Sequence, residues 1–401
     1  MNKIFTSIKK LIKALVLWLY KLFIKSLPID SKAIIFESNV GRSYSGNPKA
    51  IYEEMIKQGL DSQYRCYYIL EDTKMTIPGP AKKVKRKGLK YFYVFATSRI
   101  WVCDSRLPMY IVKRPGTTFI QTWHGTPLKK LALDMDTVHM AGEIGIEDYK
   151  ANFKKNTKTW DYLVSQNHYS TQVFRRAFDF NKEILEIGYP RNDILFKKDN
   201  PEDINKLKIQ MGLPLDKRII LYAPTWRDNQ YYGLGKYKFN PALDFSRLIE
   251  EFDDTIILVK YHYLVVDSID WGAYNGFIRP CKVSEDISLL YLVSDLLITD
   301  YSSVMFDYSL LRRPMIFYCY DLQEYKDSLR GFYFDFLEQA PGPVTKTTEE
   351  LIEVLRNYDF KLYKEKYNLF VEKYNHLDDG RASGKVVNLI KTLIDSKEEC
   401  I

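Results

Sequence analysis

The sequence predicts an α/β protein built from two Rossmann-like domains facing a cleft, with an amphipathic helix in front of them. Three observations carry this reading. The chain has 401 residues, enough for two or three domains with sizeable cores. After Pro28, short β-branched and aromatic runs alternate with stretches of helical periodicity, the pattern of parallel α/β layers. Residues 1–25 hold six lysines and no acid, so most of the net charge of +8 sits in the first helix-length of chain. With 46% hydrophobic and 27% charged residues, the composition excludes a disordered or fibrous protein. Five scattered cysteines without metal-like spacing exclude a disulfide scaffold and point to a reducing compartment.

At about 100° per residue, Ile4, Phe5, Ile8, Leu11, Ile12, Leu15, Trp18, Leu19, Leu22 and Phe23 fall on one half of a helical wheel. The lysines fall on the other half. The longest charge-free run, 14–20, is far short of the roughly 20 residues that span a bilayer, and no small-residue cleavage site follows it. An in-plane membrane helix is therefore expected, with Lys3, Lys10, Lys13, Trp18, Lys21 and Phe23 meeting an anionic surface; a core-packing or partner-binding helix is the alternative. A second basic run comprises Lys82, Lys83, Lys85, Arg86, Lys87 and Lys90.

Strands are expected at 32–37, 65–70, 100–104, 117–122, 161–164 and 184–187, then at 218–222, 255–259, 296–299 and 315–318. Between the sets, 197–216 is polar, carries Pro201 and Pro214 and holds one short helix. The expected domains are thus a membrane-association helix at 1–28, an N-terminal Rossmann-like domain at 29–200, a C-terminal Rossmann-like domain at 201–382 and a C-terminal helix at 383–401. No G-x-G-x-x-G fingerprint is present, which argues against a dinucleotide oxidoreductase.

Open α/β sheets bind ligands at the carboxyl ends of their strands, and four such places are rich in chemistry. In Gln121-Thr122-Trp123-His124-Gly125-Thr126-Pro127, the Thr-Pro pair predicts a helix start, leaving His124 on a tight turn as a candidate base. In Tyr222-Ala223-Pro224-Thr225-Trp226-Arg227-Asp228, Arg227 either clamps a phosphate or pairs with Asp228. In Val259-Lys260-Tyr261-His262, an extended backbone places Lys260 and His262 on one face, able to meet an anion; a capped strand end with a solvated lysine is the alternative. In Thr299-Asp300-Tyr301-Ser302-Ser303-Val304-Met305-Phe306-Asp307, the serine pair opens an apolar helix and suits a phosphate. Asp134-Met135-Asp136 mimics a D-x-D metal motif, but in a helix its carboxylates diverge. Such groups suit an activated diphosphate donor neutralised by protein cations, and neither metal nor cofactor is expected.

These runs, together with Gly188-Tyr189-Pro190-Arg191-Asn192-Asp193, Arg312-Arg313-Pro314 and Arg330-Gly331-Phe332-Tyr333, resemble the CDP-glycerol glycerophosphotransferase family of wall teichoic acid synthesis over residues 30–385. The resemblance implies a GT-B fold and peripheral attachment to the cytoplasmic face of the cell membrane. It implies transfer of glycerol phosphate from CDP-glycerol to a hydroxyl of an undecaprenyl-diphosphate-linked saccharide, releasing CMP. Carried over by motif, His124 is the base, while His262, Lys260, Arg227, Thr299, Ser302 and Ser303 hold the donor and Asp307 reaches the cytidine ribose. The converse assignment, with His262 as base and His124 on a phosphate, stays open. So do primase, short-chain transferase and polymerase. Tyr263 follows His262 where the family commonly has proline. Other teichoic acid enzymes are implied as partners and nucleic acid is not. The alternatives are a CDP-ribitol-dependent transferase of the same family, a nucleotide-sugar glycosyltransferase and a non-catalytic membrane scaffold.

Overall fold

A computed structural model describes residues 15, 17–138, 145–225, 231–233, 236–237, 242–261, 271–274, 276–325 and 331–396. It is an α/β protein with two parallel sheets. The first contains β1 (Asp30–Glu37), β2 (Arg65–Leu70), β3 (Lys82–Lys85), β4 (Ser98–Cys103), β5 (Thr118–Gln121), β6 (Tyr162–Ser165) and β7 (Glu183–Glu186), in the order β3-β2-β1-β4-β5-β6-β7. The second starts with β8 (Arg218–Ala223). A small antiparallel pair follows, β9 (Tyr231–Gly233) and β10 (Lys236–Tyr237). The sheet then continues through β11 (Thr255–Val259), β12 (Ile278–Pro280), β13 (Leu296–Thr299), β14 (Met315–Tyr318) and β15 (Val344–Thr345), in the order β12-β11-β8-β13-β14-β15. Both orders run outward from a first strand in two directions, which is the doubly wound Rossmann arrangement.

Packing divides the chain into two compact units: Met1–Trp123 with Thr159–Leu163 and Gly384–Ile401, and His124–Lys158 with Val164–Ser383. These units cut the chain at other points than the sequence domains 29–200 and 201–382. The C-terminal helix expected at 383–401 runs from Ala382 to Asp395 and returns the chain to the first unit.

Both faces of the second sheet are buried, and β8 shows why its sequence is apolar throughout. Ile219, Leu221 and Ala223 join one core cluster, whereas Ile220 and Tyr222 join the other, as the two-residue period of a strand requires. In the first unit Ile34, Ile35, Phe36 and Trp101 are fully buried along β1 and β4.

β3 falls inside the second basic run. Val84 is buried between exposed Lys82, Lys83 and Lys85, so the lysines guard the open edge of a short strand. Arg86 does not belong to that surface. It turns inward to pair with the buried Glu37 at 3.0 Å, and burial, partly offset by Arg86, pushes the Glu37 carboxyl up to about 7.

Residues 17–26 are helical, with Trp18, Leu19, Lys21, Leu22 and Phe23 exposed and Ile24 buried. Lys3, Lys10 and Lys13 lie outside the described residues. Among the described residues no helix is long and apolar enough to cross a membrane.

Gly342, just before β15, lies so close to β14 that an added Cβ would sit 2.1 Å from the Met315 carbonyl oxygen. Gly342→Ala is therefore expected to lower stability by about 1–3 kcal/mol, the usual cost of overpacking. A urea titration checks this, and an unchanged midpoint would contradict the close approach.

Candidate active site

The residues after β5 decide where the His124 imidazole goes. Trp123 adopts φ +52°, a left-handed conformation uncommon for a bulky residue. Its buried indole and three bonds hold it there: its N–H donates to Gln121 Oε1 at 3.0 Å, and Asn47 Nδ2 donates to the carbonyls of Thr122 and Trp123 at 3.2 and 3.0 Å. The chain reverses sharply, and His124 emerges exposed.

The helix expected at Thr126-Pro127 does not form. The Thr126 hydroxyl donates to Gln166 Oε1 instead of capping. The segment then runs extended, bridging Lys129 to Phe332, with Lys130 N–H donating to the Gly331 carbonyl at 3.2 Å and Tyr333 N–H to that of Leu128 at 3.0 Å.

Within the second unit, three sequence motifs meet at this point. Arg191 donates from Nη1 to the His124 carbonyl at 2.8 Å and from Nη2 to Asp307 Oδ2 at 2.5 Å. Its guanidinium lies over the Tyr189 ring, 5.1 Å from the centroid. Asn192 Nδ2 donates to the other Asp307 oxygen at 3.2 Å and to Asp378 Oδ1 at 3.0 Å. Ser303 packs against Gly125 so tightly that a Cβ there would sit 2.9 Å from the serine Oγ and 3.8 Å from Arg191 Nη2. Gly125 is what lets the histidine turn approach the serine.

The remaining expected residues are placed as follows. Arg227 and His262 lie outside the described residues. Lys260 donates to the carbonyls of Lys282, Val283 and Glu285 at 2.6, 3.2 and 2.8 Å, and burial pulls its pKa below the usual lysine value. Thr299 is buried, its hydroxyl bonded to the Ala223 carbonyl at 2.8 Å across the sheet. Ser302 and Ser303 are half-buried before a helix of five residues, Val304–Tyr308. The carboxylate of Asp307 is engaged by Arg191 and Asn192, and burial raises its pKa. The D-x-D residues part company: Asp134 pairs with Arg176 at 2.9 Å and accepts from the Tyr333 hydroxyl at 2.8 Å, whereas Asp136 pairs with Lys130 at 2.9 Å. Asp134 closes a short 3-10 turn, Ala132–Asp134, rather than lying in a helix. Among the described residues no group of three His, Cys, Asp or Glu is placed to hold a metal ion.

Asp378 was not legible as a site residue. It accepts from Gln166 Nε2 at 2.8 Å, from Tyr189 N–H at 3.0 Å and from Asn192. The one local signal is glycine at a distance: Gly188 has φ +82°, and a Cβ there would come within 3.1 Å of the Asp378 Cα.

The profile of the CDP-Glycerol:Poly(glycerophosphate) glycerophosphotransferase family matches residues 19–392, and the chain belongs to that family of enzymes. It is 47% identical over 370 residues to a teichoic acid poly(glycerol phosphate) polymerase of Bacillus subtilis, covering 91% of this chain but only 49% of the polymerase, so the chain spans about half the length of that relative. It is 42% identical to a teichoic acid glycerol-phosphate transferase of Staphylococcus aureus, covering 96% of this chain and 98% of that one. The solved wall teichoic acid polymerase TagF superposes with a TM-score of 0.88 at 41% identity, covering 98% of both chains.

Burial pushes the Asp378 carboxyl up from 3.8 to about 7, against the lowering effect of its three donors. The folded state therefore keeps a proton that the unfolded chain has released, and this group's contribution to stability is lost as pH rises from 3.8 through about 7. Asp378→Asn is expected to flatten the fall in melting temperature across that window while leaving the share due to Glu37. An unchanged slope would contradict a protonated Asp378.

Proposed function

We propose that the protein transfers glycerol phosphate from CDP-glycerol to a hydroxyl of an undecaprenyl-diphosphate-linked teichoic acid precursor and releases CMP. The work is done at the cytoplasmic face of the cell membrane. Family membership supports the reaction class, and both relatives above are named for glycerol phosphate. The observation that carries the site is the exposed His124 imidazole on a turn whose carbonyl is held by Arg191, beside Ser303.

In this reading His124 takes the proton of the acceptor hydroxyl as its oxygen attacks the glycerol-bearing phosphorus. The bond from that phosphorus to the CMP oxygen breaks, and CMP leaves as the anion. CMP is a good leaving group and a neutral hydroxyl is a poor nucleophile, so the base on the attacking side carries most of the burden. In the same reading Ser303 and Ser302 donate to donor phosphate, with Arg227 and His262 joining them by family motif. Lys260 can serve the donor only by exchanging its three carbonyls for phosphate oxygens. Asp307 acts by holding Arg191 rather than by reaching the ribose, because its carboxylate is already engaged.

The exposed Trp18, Leu22 and Phe23 opposite the lysines support peripheral attachment to an anionic membrane.

His124→Ala is expected to lower kcat by about 10²–10⁴-fold with little change in donor affinity. Weakened CDP-glycerol binding in a direct titration, with the acidic limb of the kcat profile retained, would instead make His262 the base. Profiling CDP-glycerol against CDP-ribitol on one sample is expected to favour glycerol, and equal turnover would remove that preference. For the membrane, Trp18→Glu combined with Phe23→Glu is expected to release the protein from anionic vesicles, and an unchanged bound fraction would defeat the anchor.

A further inference from the structure

The N-terminal helix and the helix Leu89–Thr97 flank an open pocket of about 560 Å³, lined by Leu17, Ile24, Leu27, Phe92, Ala96 and Tyr110 among others. Its wall is nearly all carbon, and the hydroxyl of Tyr20, also at the lining, is turned to the Phe92 carbonyl at 3.4 Å. The rim is apolar as well: Leu89 is 92% exposed and Phe23 62%, with Tyr93 exposed beside them. An engineered apolar cavity of about 150 Å³ already admits benzene. This one is between three and four times as large.

We propose that this cavity binds one acyl chain of an anionic phospholipid drawn from the membrane surface, an inference that rests on the membrane reading of the first helix. The apolar wall suits an acyl chain rather than a polar ligand, and the volume has room for one. Charge selects the headgroup. Lys87 and Lys90, on either side of Leu89, are exposed, and no acid occurs in residues 1–25. Arg114 ties the two walls together, donating to the carbonyls of Ala96 at 2.8 Å and Lys25 at 3.4 Å. A chain in the cavity would fix the helix to the body of its unit, whereas the exposed rim residues alone would let it float on the bilayer.

The test uses the full chain with phosphatidylcholine–phosphatidylglycerol vesicles containing a phosphatidylglycerol whose acyl chain carries a diazirine. After illumination, labelled residues are mapped by mass spectrometry. Labelling is expected at Phe92, Ala96 and Tyr110, and excess unlabelled phosphatidylglycerol should abolish it. Ala96→Phe, which fills the cavity, should also abolish it while leaving the vesicle-bound fraction unchanged. Leu27→Trp provides a second filling variant should the first fail to fold. Label confined to Trp18 and Leu22 and insensitive to Ala96→Phe would overturn the site. So would competition by a polyprenyl phosphate but not by phosphatidylglycerol. A parallel arm with diazirine lysophosphatidylglycerol and no vesicles separates the two claims, because cavity labelling there supports the site even if the intact protein fails to bind vesicles.

Discussion

The buried ion pair between Arg191 and Asp307 is the constraint on which the rest of the candidate site hangs. Their side chains are only 12% and 3% exposed, and withdrawing two charges from water costs several kcal/mol per ion unless geometry and further bonds recover it. Part of that cost is recovered by further contacts: Asp307 also accepts from Asn192, and Arg191 also donates to the His124 carbonyl and lies over Tyr189. A guanidinium fork held at one end presents the other end in a fixed direction, which a lysine ammonium cannot do. The histidine turn is therefore held through its backbone carbonyl, and His124 itself is exposed.

The same network draws together pieces far apart in sequence. Asn192 bridges Asp307 to Asp378, and Asp378 in turn accepts from Gln166, whose carbonyl receives the Thr126 hydroxyl. The chain of bonds thus begins and ends beside His124. Breaking one member leaves a buried polar group without its partner, so such networks respond as units rather than bond by bond. Close backbone approach supports it at two glycines, Gly125 against Ser303 and Gly188 against Asp378.

Much of the fold was legible because a strand buried on both faces reads as a continuous apolar run. The expected ranges 65–70, 255–259, 296–299 and 315–318 coincide with β2, β11, β13 and β14. The edge strand β7 was expected at 184–187, but the edges β3, β12 and β15 were missed for the converse reason. β3 buries one side chain among lysines, while β12 and β15 are three and two residues long, too short for a period to emerge. The helix expected after Pro127 failed because tertiary bonds competed for its cap: Thr126 bonds Gln166, and the segment pairs with Phe332. The histidine turn and the serine motif were legible as chemistry at strand ends. Their mutual contact was not, since it is made by Arg191 and Gly125, one visible only as part of a family motif and the other as a turn residue. Asp378 carried no pattern at all, being a loop residue whose role arises from burial.

Whether Arg191 positions the His124 turn is tested most directly by Arg191→Lys. Lysine keeps the charge beside Asp307 but loses the second arm to the His124 carbonyl. Steady-state kinetics with CDP-glycerol, read beside a thermal melt, should show kcat falling with KM for the donor nearly unchanged and only a modest loss of stability. An unaltered kcat in a destabilised protein would mean that the ion pair holds the fold alone and that the turn is positioned by something else.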